Sequence, residues 1–329
     1  MTDRPPPSEF ELIARYFAPL AAASPGALGL TDDAALAKPP SGHHHVVAVD
    51  TLIQGVHFMA DDPPALIARK LLRVNLSDIA AMGAVPKHYL LVLSIAPGIG
   101  EDWLEEFAAG LQADQDEFGV GLLGGDTTST PGPATLSLTA IGEVPDGGEL
   151  RRSTARPGDL IYVSGTIGDA ALGLRVLSGE LSGLTAAAAA MLVDRYRIPR
   201  PRVKLGPALC GLATATTDIS DGLVADVGHI CETSGVGAQI EADSVPLSDA
   251  SVEALASDPS AMQFILMGGD DYELAFTANP QSANAVDGLA KSTGTQITAI
   301  GRVTSSDGLS VVDKNKNLIS LNTKGYDHF

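Results

Sequence analysis

Three short apolar runs in this chain each lead into an aspartate, and that pattern restricts the fold more than any other feature. Val46-Val47-Ala48-Val49 leads into Asp50, Gly119 to Gly125 into Asp126, and Ala213 to Thr217 into Asp218, with Asp221 three residues further on. Asp78 lies on the apolar stripe of a predicted helix. Short apolar runs of this kind read as buried strands, here delivering carboxylates to one edge of a sheet. Carboxylates gathered there repel one another unless a cation neutralises them. Hard divalent cations such as Mg²⁺ prefer oxygen ligands of this kind. The chemistry expected is a multi-metal site that handles phosphate.

Bulk properties narrow the class. A length of 329 residues suggests about two domains. The formal net charge of −19 argues against wide contact with nucleic acid or an anionic membrane. An acidic protein holds a nucleotide only through metals, backbone N–H groups and a few well-placed Arg or Lys; the same charge also serves solubility alone. Cys210 and Cys231 are too few for a disulfide framework and lack metal-ligand spacing, so they read as small core residues. Met1 to Pro7 lacks the apolar region of a signal peptide, and no apolar run is long enough to span a bilayer. A cytoplasmic protein is expected.

Periodicity places the elements. Ser8 reads as an N-cap for an amphipathic helix over Phe10 to Leu20. Thr31 to Ala35 reads as strand-like and Val46 to Thr51 as a stronger strand. Ala65 to Met82 has apolar residues at helical spacing, and Asp78 shares that face. A strand over His88 to Ala96, a helix over Glu101 to Phe118, and strands over Gly119 to Leu123 and Ala134 to Glu143 follow. Pro and Gly cluster over Val144 to Gly148, which sets expected domains of 1–145 and 146–329. The second domain alternates again. Strands are expected over 159–164, 213–219, 237–242, 274–277 and 296–303, and helices over 169–177, 184–195, 200–212 and 222–233, before a C-terminal hairpin. Alternation of this kind indicates an α/β or α+β architecture.

Thr217-Asp218-Ile219-Ser220-Asp221-Gly222-Leu223 is the most specific string. It runs from strand to helix, so Asp218 and Asp221 can face one metal across the turn. Ser220 can cap the helix or touch a phosphate, and the free N–H groups of the helix start attract anions. An ordinary capped turn is the plain alternative. Leu123-Gly124-Gly125-Asp126-Thr127-Thr128 follows the same logic, since paired glycines let backbone approach a phosphate closely; alone, it could be an Asx-turn. Asp32 and Asp33 are adjacent, and in a strand only one would reach the site. His57 follows Asp50 in a loop that either covers substrate or is held structurally. His43-His44-His45 has no matching Cys or His cluster for zinc and reads as part of a Ser-Gly loop. The acids of Gly268-Gly269-Asp270-Asp271-Tyr272-Glu273 either recognise a cationic ligand or form a turn. Neither a Walker-type loop nor a protein-kinase signature set is present.

Together these strings resemble the thiamine-monophosphate kinase family, within the aminoimidazole-ribonucleotide synthetase-like ATP-binding superfamily. The resemblance runs from Glu9-Phe10-Glu11-Leu12-Ile13 through Asp32-Asp33-Ala34-Ala35, Asp50-Thr51-Leu52, His57-Phe58 and Asn75 to Ala84. It continues through Gly124-Gly125-Asp126-Thr127-Thr128 and Asp218 to Leu223, and ends at Lys324-Gly325-Tyr326-Asp327-His328-Phe329. It implies a two-domain α/β (α+β) fold with mixed sheets covered by helices and an N-terminal domain that forms a homodimer. It also implies transfer of the ATP γ-phosphoryl group to thiamine monophosphate, giving thiamine diphosphate, with several Mg²⁺ ions. Asp33, Asp50, Asp78, Asp126, Asp218 and Asp221 would then be metal ligands, with Asp126, Asp218 and Asp221 closest to the chemistry. Gly125, Asp126, Arg152 and Ser220 would contact ATP. His57, Asp270 and Tyr326 would line the thiamine phosphate pocket.

Three positions depart from the family pattern. Thr31 stands where Gly is usual, Asp270 where Glu is common, and Ala48-Val49 where a hydroxyl residue or two precede the Asp50 position. Other readings share the strings: a synthetase that activates a substrate oxygen or selenide with ATP, a non-catalytic metal- or nucleotide-binding module, and a metal-dependent phosphohydrolase.

Overall fold

The computed structural model describes residues 9–321. The chain divides into two compact units: one takes in the chain up to Ile79 together with Pro86–Glu143, the other Ala80–Val85 and the chain from Val144 on.

In the first unit, α1 (Glu9–Leu12) passes into a π-helical turn over Ile13–Phe17 and a 3₁₀ turn over Pro19–Ala21. One continuous helix was expected from the periodicity. Pro19 has no N–H for an α-helical ladder, and the last turns change type around it. The elements that follow are β1 (His43–Ile53), α2 (Pro64–Ala81), β2 (Val85–Ile95), α3 (Glu101–Phe118), β3 (Gly121–Ser129) and β4 (Thr135–Pro145). They build a four-stranded sheet in the order β1-β4-β2-β3. β2 and β3 are parallel, and α3 supplies the crossover that a parallel pair needs. Gly119 ends α3 in the left-handed conformation at φ 67°, its N–H donating to the Gln115 carbonyl.

Thr31 to Ala35 is a bend, not a strand. Leu28 and Leu30 already turn the chain at φ 52° and 58°, and Thr31 Oγ1 closes the turn by donating to the Leu28 carbonyl at 2.8 Å. His43 to His45 belong to β1 rather than to a loop, because the β-branched run behind them extends the strand. β1 runs two residues past its expected end at Thr51, to Ile53, and β3, expected to stop at Leu123, runs on through Asp126 to Ser129. α2 is buried nearly all round rather than along one stripe. Its Arg73 forks onto the fully buried Asp114 of α3, with N–O distances of 2.7 and 2.8 Å.

The second unit runs β5 (Leu160–Ser164), α4 (Asp169–Leu177), α5 (Ala186–Arg197), α6 (Leu205–Ala208), β6 (Ala215–Asp218), α7 (Leu223–Ser234) and β7 (Gly237–Glu241). It continues with α8 (Asp249–Ser257), α9 (Ala261–Met267), β8 (Leu274–Ala278), α10 (Ala283–Thr293), β9 (Ile297–Thr304) and β10 (Gly308–Val312). The six strands form one mixed sheet, β10-β7-β9-β5-β8-β6. Alternation along β5 shows that both faces are covered. Ile161 and Val163 enter a core with Ile219, Leu223, Val227 and Ile265. Tyr162 points the other way, stacks on Phe276 at 5.2 Å between ring centres, and packs with Leu205, Leu209 and Val286. Cys231 is buried in the first of these cores; both cysteines are free thiols.

The helix expected over 200–212 shrinks to the single turn of α6, which itself contains Gly206 and Pro207. α8, α9 and α10 were not foreseen. Of the C-terminal hairpin expected after 303, the described residues show one antiparallel bridge, Val312 to Leu318, while β10 itself pairs in parallel with β7. Among the described residues, no helix is long and apolar enough to cross a membrane.

Candidate functional site

In the first unit, Asp32, Asp33, Gly125 and Asp126 line one cavity of about 460 Å³. Its floor is apolar, built from Leu90, Leu91, Leu122 and Leu123. The bend at Asp32-Asp33 lets both carboxylates line it, whereas a strand would have sent one away. Asp126 is exposed on β3, registered opposite Val92. Gly125 has a structural reason to be glycine. A Cβ there would lie 1.8 Å from the Leu91 carbonyl oxygen, where the β2–β3 register is irregular.

Asp50 and Asp78 do not line that cavity. Asp50, half-buried on β1, donates its backbone N–H to Asn75 Oδ1 at 3.1 Å. Asn75 and Asp78 are three residues apart and share a face of α2, so the helix presents that face near Asp50. Asp78 is half-buried, and beside it the buried Ser77 Oγ has no hydrogen-bond partner among the described residues. His57 closes the turn after β1: its Nδ1 accepts from the Ile53 N–H at 3.1 Å, and its carbonyl accepts from Lys70 Nζ. An acceptor Nδ1 puts the ring proton of a neutral imidazole on Nε2.

In the second unit, Asp218 does end its strand, β6, and is buried. The turn that follows aims Asp221 from the start of α7. Gly222 is its N-cap, at φ 121° and with no side-chain cap. Ser220 therefore does not cap the helix. Its carbonyl instead accepts from the Asp270 N–H. The capping role falls to Asp226, which sequence reasoning missed. Buried in the first turn of α7, its Oδ2 accepts from the N–H groups of Asp221 (3.0 Å) and Gly222 (3.1 Å). An acid one turn after an Asp-Gly helix start was the signal available.

Electrostatics mark the same turn. Burial, and then the charges of Asp218 and Asp221, push the Asp226 carboxyl up to about 8. Asp221, Asp226 and His229 offer ligand atoms that all lie within 4.8 Å of one another. An oxygen-rich set under this mutual repulsion fits a hard divalent cation. His229, also unforeseen, is exposed and pairs with Glu232 at 3.6 Å.

The Gly268–Glu273 segment packs beside this turn. Asp270 is half-buried, and its Oδ1 accepts from the Tyr272 hydroxyl at 3.2 Å. Arg152 is exposed, and its carbonyl accepts from Ser234 Oγ. The structure thus groups Asp33, Gly125 and Asp126 in one unit, and Asp218, Ser220, Asp221 and Asp270 in the other. Tyr326 lies outside the described residues.

Comparison with known proteins covers nearly the whole chain. The N-terminal domain family of AIR synthase related proteins matches residues 31–144, and the corresponding C-terminal domain family matches residues 156–314. A thiamine-monophosphate kinase of Salmonella typhimurium is 42% identical over 323 residues, covering 98% of each chain. The crystal structure of thiamine-monophosphate kinase from Stenotrophomonas maltophilia superposes with a TM-score of 0.84 at 45% identity, over 92% of this chain and 96% of that one. The structure of AaThiL complexed with AMPPCP and TMP superposes with a TM-score of 0.78 at 29% identity, over 91% of each chain.

Proposed function

The chain belongs to the thiamine-monophosphate kinase family of AIR-synthase-related proteins, and from that membership we infer that it transfers the γ-phosphoryl group of ATP to thiamine monophosphate, forming thiamine diphosphate and ADP. The observation that carries this reading is the 42% identity maintained over 98% of both chains. The carboxylate turn at Asp218–Asp221, with the crowded Asp226 behind it, supports the reading from the structure.

The acceptor is itself a phosphate, with a second pKa near 6. It is mostly a dianion at neutral pH, so no protein base is needed to make it nucleophilic. The obstacle is repulsion between two polyanions. Bound Mg²⁺ would supply the charge that cancels this repulsion and aligns an in-line attack. Asp33, Asp50, Asp78 and Asp126 in the first unit, and Asp218 and Asp221 in the second, are the side chains that would serve as ligands to several such ions. Gly125, Asp126 and Ser220 contact ATP, and exposed Arg152 adds a fixed positive charge. Asp270, His57 and Tyr326 serve the acceptor, the carboxylate of Asp270 suiting the thiazolium cation. Transfer is direct, without a phosphoenzyme. By this reading, residues 1–145 bind ATP and metal and pair two copies of the chain, and residues 146–329 supply the rest of the catalytic residues. The demand for ATP fits a cytoplasmic enzyme.

Homodimer formation is supported by β1. It is an edge strand of its sheet, yet Val47 and Val49 stand 61% and 63% exposed on it. Exposed apolar edges invite pairing and are normally covered. Thr31 in place of the family's Gly is accommodated by its own hydroxyl bond to Leu28.

The deciding experiment incubates purified, metal-replete protein with ATP and thiamine monophosphate. Thiamine diphosphate forms, and its formation is lost on chelation and in Asp221→Asn. Failure to form it overturns the assignment, and a chemically competent covalent phosphoprotein overturns direct transfer.

A further inference from the structure

Two loops of the second unit, Asp218–Gly222 and Gly268–Glu273, are bonded backbone to backbone. The Asp270 N–H donates to the Ser220 carbonyl at 2.9 Å, the Tyr272 N–H to Ile219 at 2.8 Å, and the Ile219 N–H back to Glu273 at 2.8 Å. Neither loop has room to slide. A Cβ on Gly269 would lie 2.0 Å from the Ser220 carbonyl oxygen, and one on Gly222 would lie 2.4 Å from that of Met267. The second loop is held in an unfavourable shape. Asp270 and Tyr272 sit at φ 70° and 50°, in the left-handed region that side-chain-bearing residues rarely adopt. Such a conformation persists only where the surroundings over-determine it.

What over-determines it is a buried charge cluster. The Asp271 carboxyl accepts from the N–H groups of Gly168 (2.6 Å) and Ala170 (3.3 Å). Glu273 is fully buried and accepts from Ser164 Oγ at 2.5 Å, Arg195 Nη2 at 2.9 Å and Arg202 Nε at 2.5 Å, with Arg202 Nη2 on its other oxygen. A buried ion pair is weak evidence for stability, and its geometric role is the better reason to look for.

We propose that Glu273 and Arg202 are positioning residues: their forked pair fixes the left-handed loop and, through the three backbone bonds, sets the Asp218–Asp221 turn, so that acceptor recognition at Asp270 and cation binding at Asp218 and Asp221 share one frame. This rests on the roles proposed above for those aspartates. It makes the metal site and the acceptor site respond together to a change that touches neither ligand set.

The test uses the full-length protein with Arg202→Ala, Arg202→Lys and a core variant, Ile300→Val, as a stability control. Arg202 is 21% exposed in its side chain and Arg195 still pairs with Glu273 in its absence, so the variants fold. Mn²⁺ is titrated in the presence of a non-hydrolysable ATP analogue and followed by electron paramagnetic resonance, and KM for thiamine monophosphate is measured separately. Arg202→Ala weakens Mn²⁺ binding and raises KM together, each by roughly threefold to tenfold. Arg202→Lys, which keeps the charge but not the fork, recovers part of both. Ile300→Val lowers the melting temperature without moving either. Wild-type values of both in Arg202→Ala, or equal shifts in Ile300→Val, overturn the proposal. If the wild-type protein binds no Mn²⁺ in the same titration, the metal roles of Asp218 and Asp221 fall first and the coupling falls with them.

Discussion

Replacing Asp226 with asparagine separates what its carboxyl accepts from what its charge costs. Asparagine retains an oxygen for the N–H groups of Asp221 and Gly222, so the turn keeps its bonds. The native carboxyl is pushed from 3.8 up to about 8, mainly by burial and then by Asp218 and Asp221. In the unfolded chain it ionises near pH 4. The folded protein therefore holds a proton that the unfolded chain releases across this range. The resulting stabilisation is complete below about pH 4 and is lost as pH rises toward about 8. One such proton gives a slope of about 1.4 kcal/mol per pH unit. Asp271, also pushed up to about 8 by its burial, contributes a second. Asp226→Asn removes one of the two, so between pH 5 and pH 7 it loses about 3 kcal/mol less than the native protein. For a unit of this size that corresponds to roughly 6–12 °C in melting temperature. Scanning calorimetry in EDTA at the two pH values measures it directly. If both proteins lose the same amount, Asp226 is not protonated in the folded state and the reasoning fails.

Other consequences can be checked as simply. Asp126→Asn, exposed on β3, leaves the melting temperature within about 2 °C of native, but lowers turnover by at least about a hundredfold in a coupled ADP assay. Tyr272→Phe removes the bond to Asp270 Oδ1 and raises KM for thiamine monophosphate about tenfold with kcat little changed; a pure kcat effect would contradict the assigned role. Val49→Glu puts charge on the exposed apolar edge of β1, so sedimentation equilibrium finds a monomer where the native chain gives a dimer.

Elements with strong local signals were legible in the sequence. α3 was bounded by Glu101 and by the left-handed Gly119, and α7 by the Asp-Gly start and Gly235, because caps and glycine stops act within a few residues. Asp218 as the end of a strand could be read for the same reason. What escaped depends on contacts distant in sequence. β10 joins β7 in parallel, a pairing that no turn signal announces. Thr127 and Thr128 looked like motif residues but are good strand formers, so β3 ran on past Leu123 and Asp126 to Ser129. The fork of Arg202 on Glu273 joins residues 71 apart, and nothing in either local string points to the other.

The Leu91 carbonyl pressed against Gly125 has a consequence for anyone who randomises Gly124-Gly125-Asp126. Side chains should survive selection at the first glycine, whose nearest neighbour is a leucine methyl 3.6 Å away, and vanish at the second even if ATP were bound wholly by other groups. A glycine that tolerates no replacement can thus be dictated by the packing of two strands, and that intolerance by itself says nothing about a ligand.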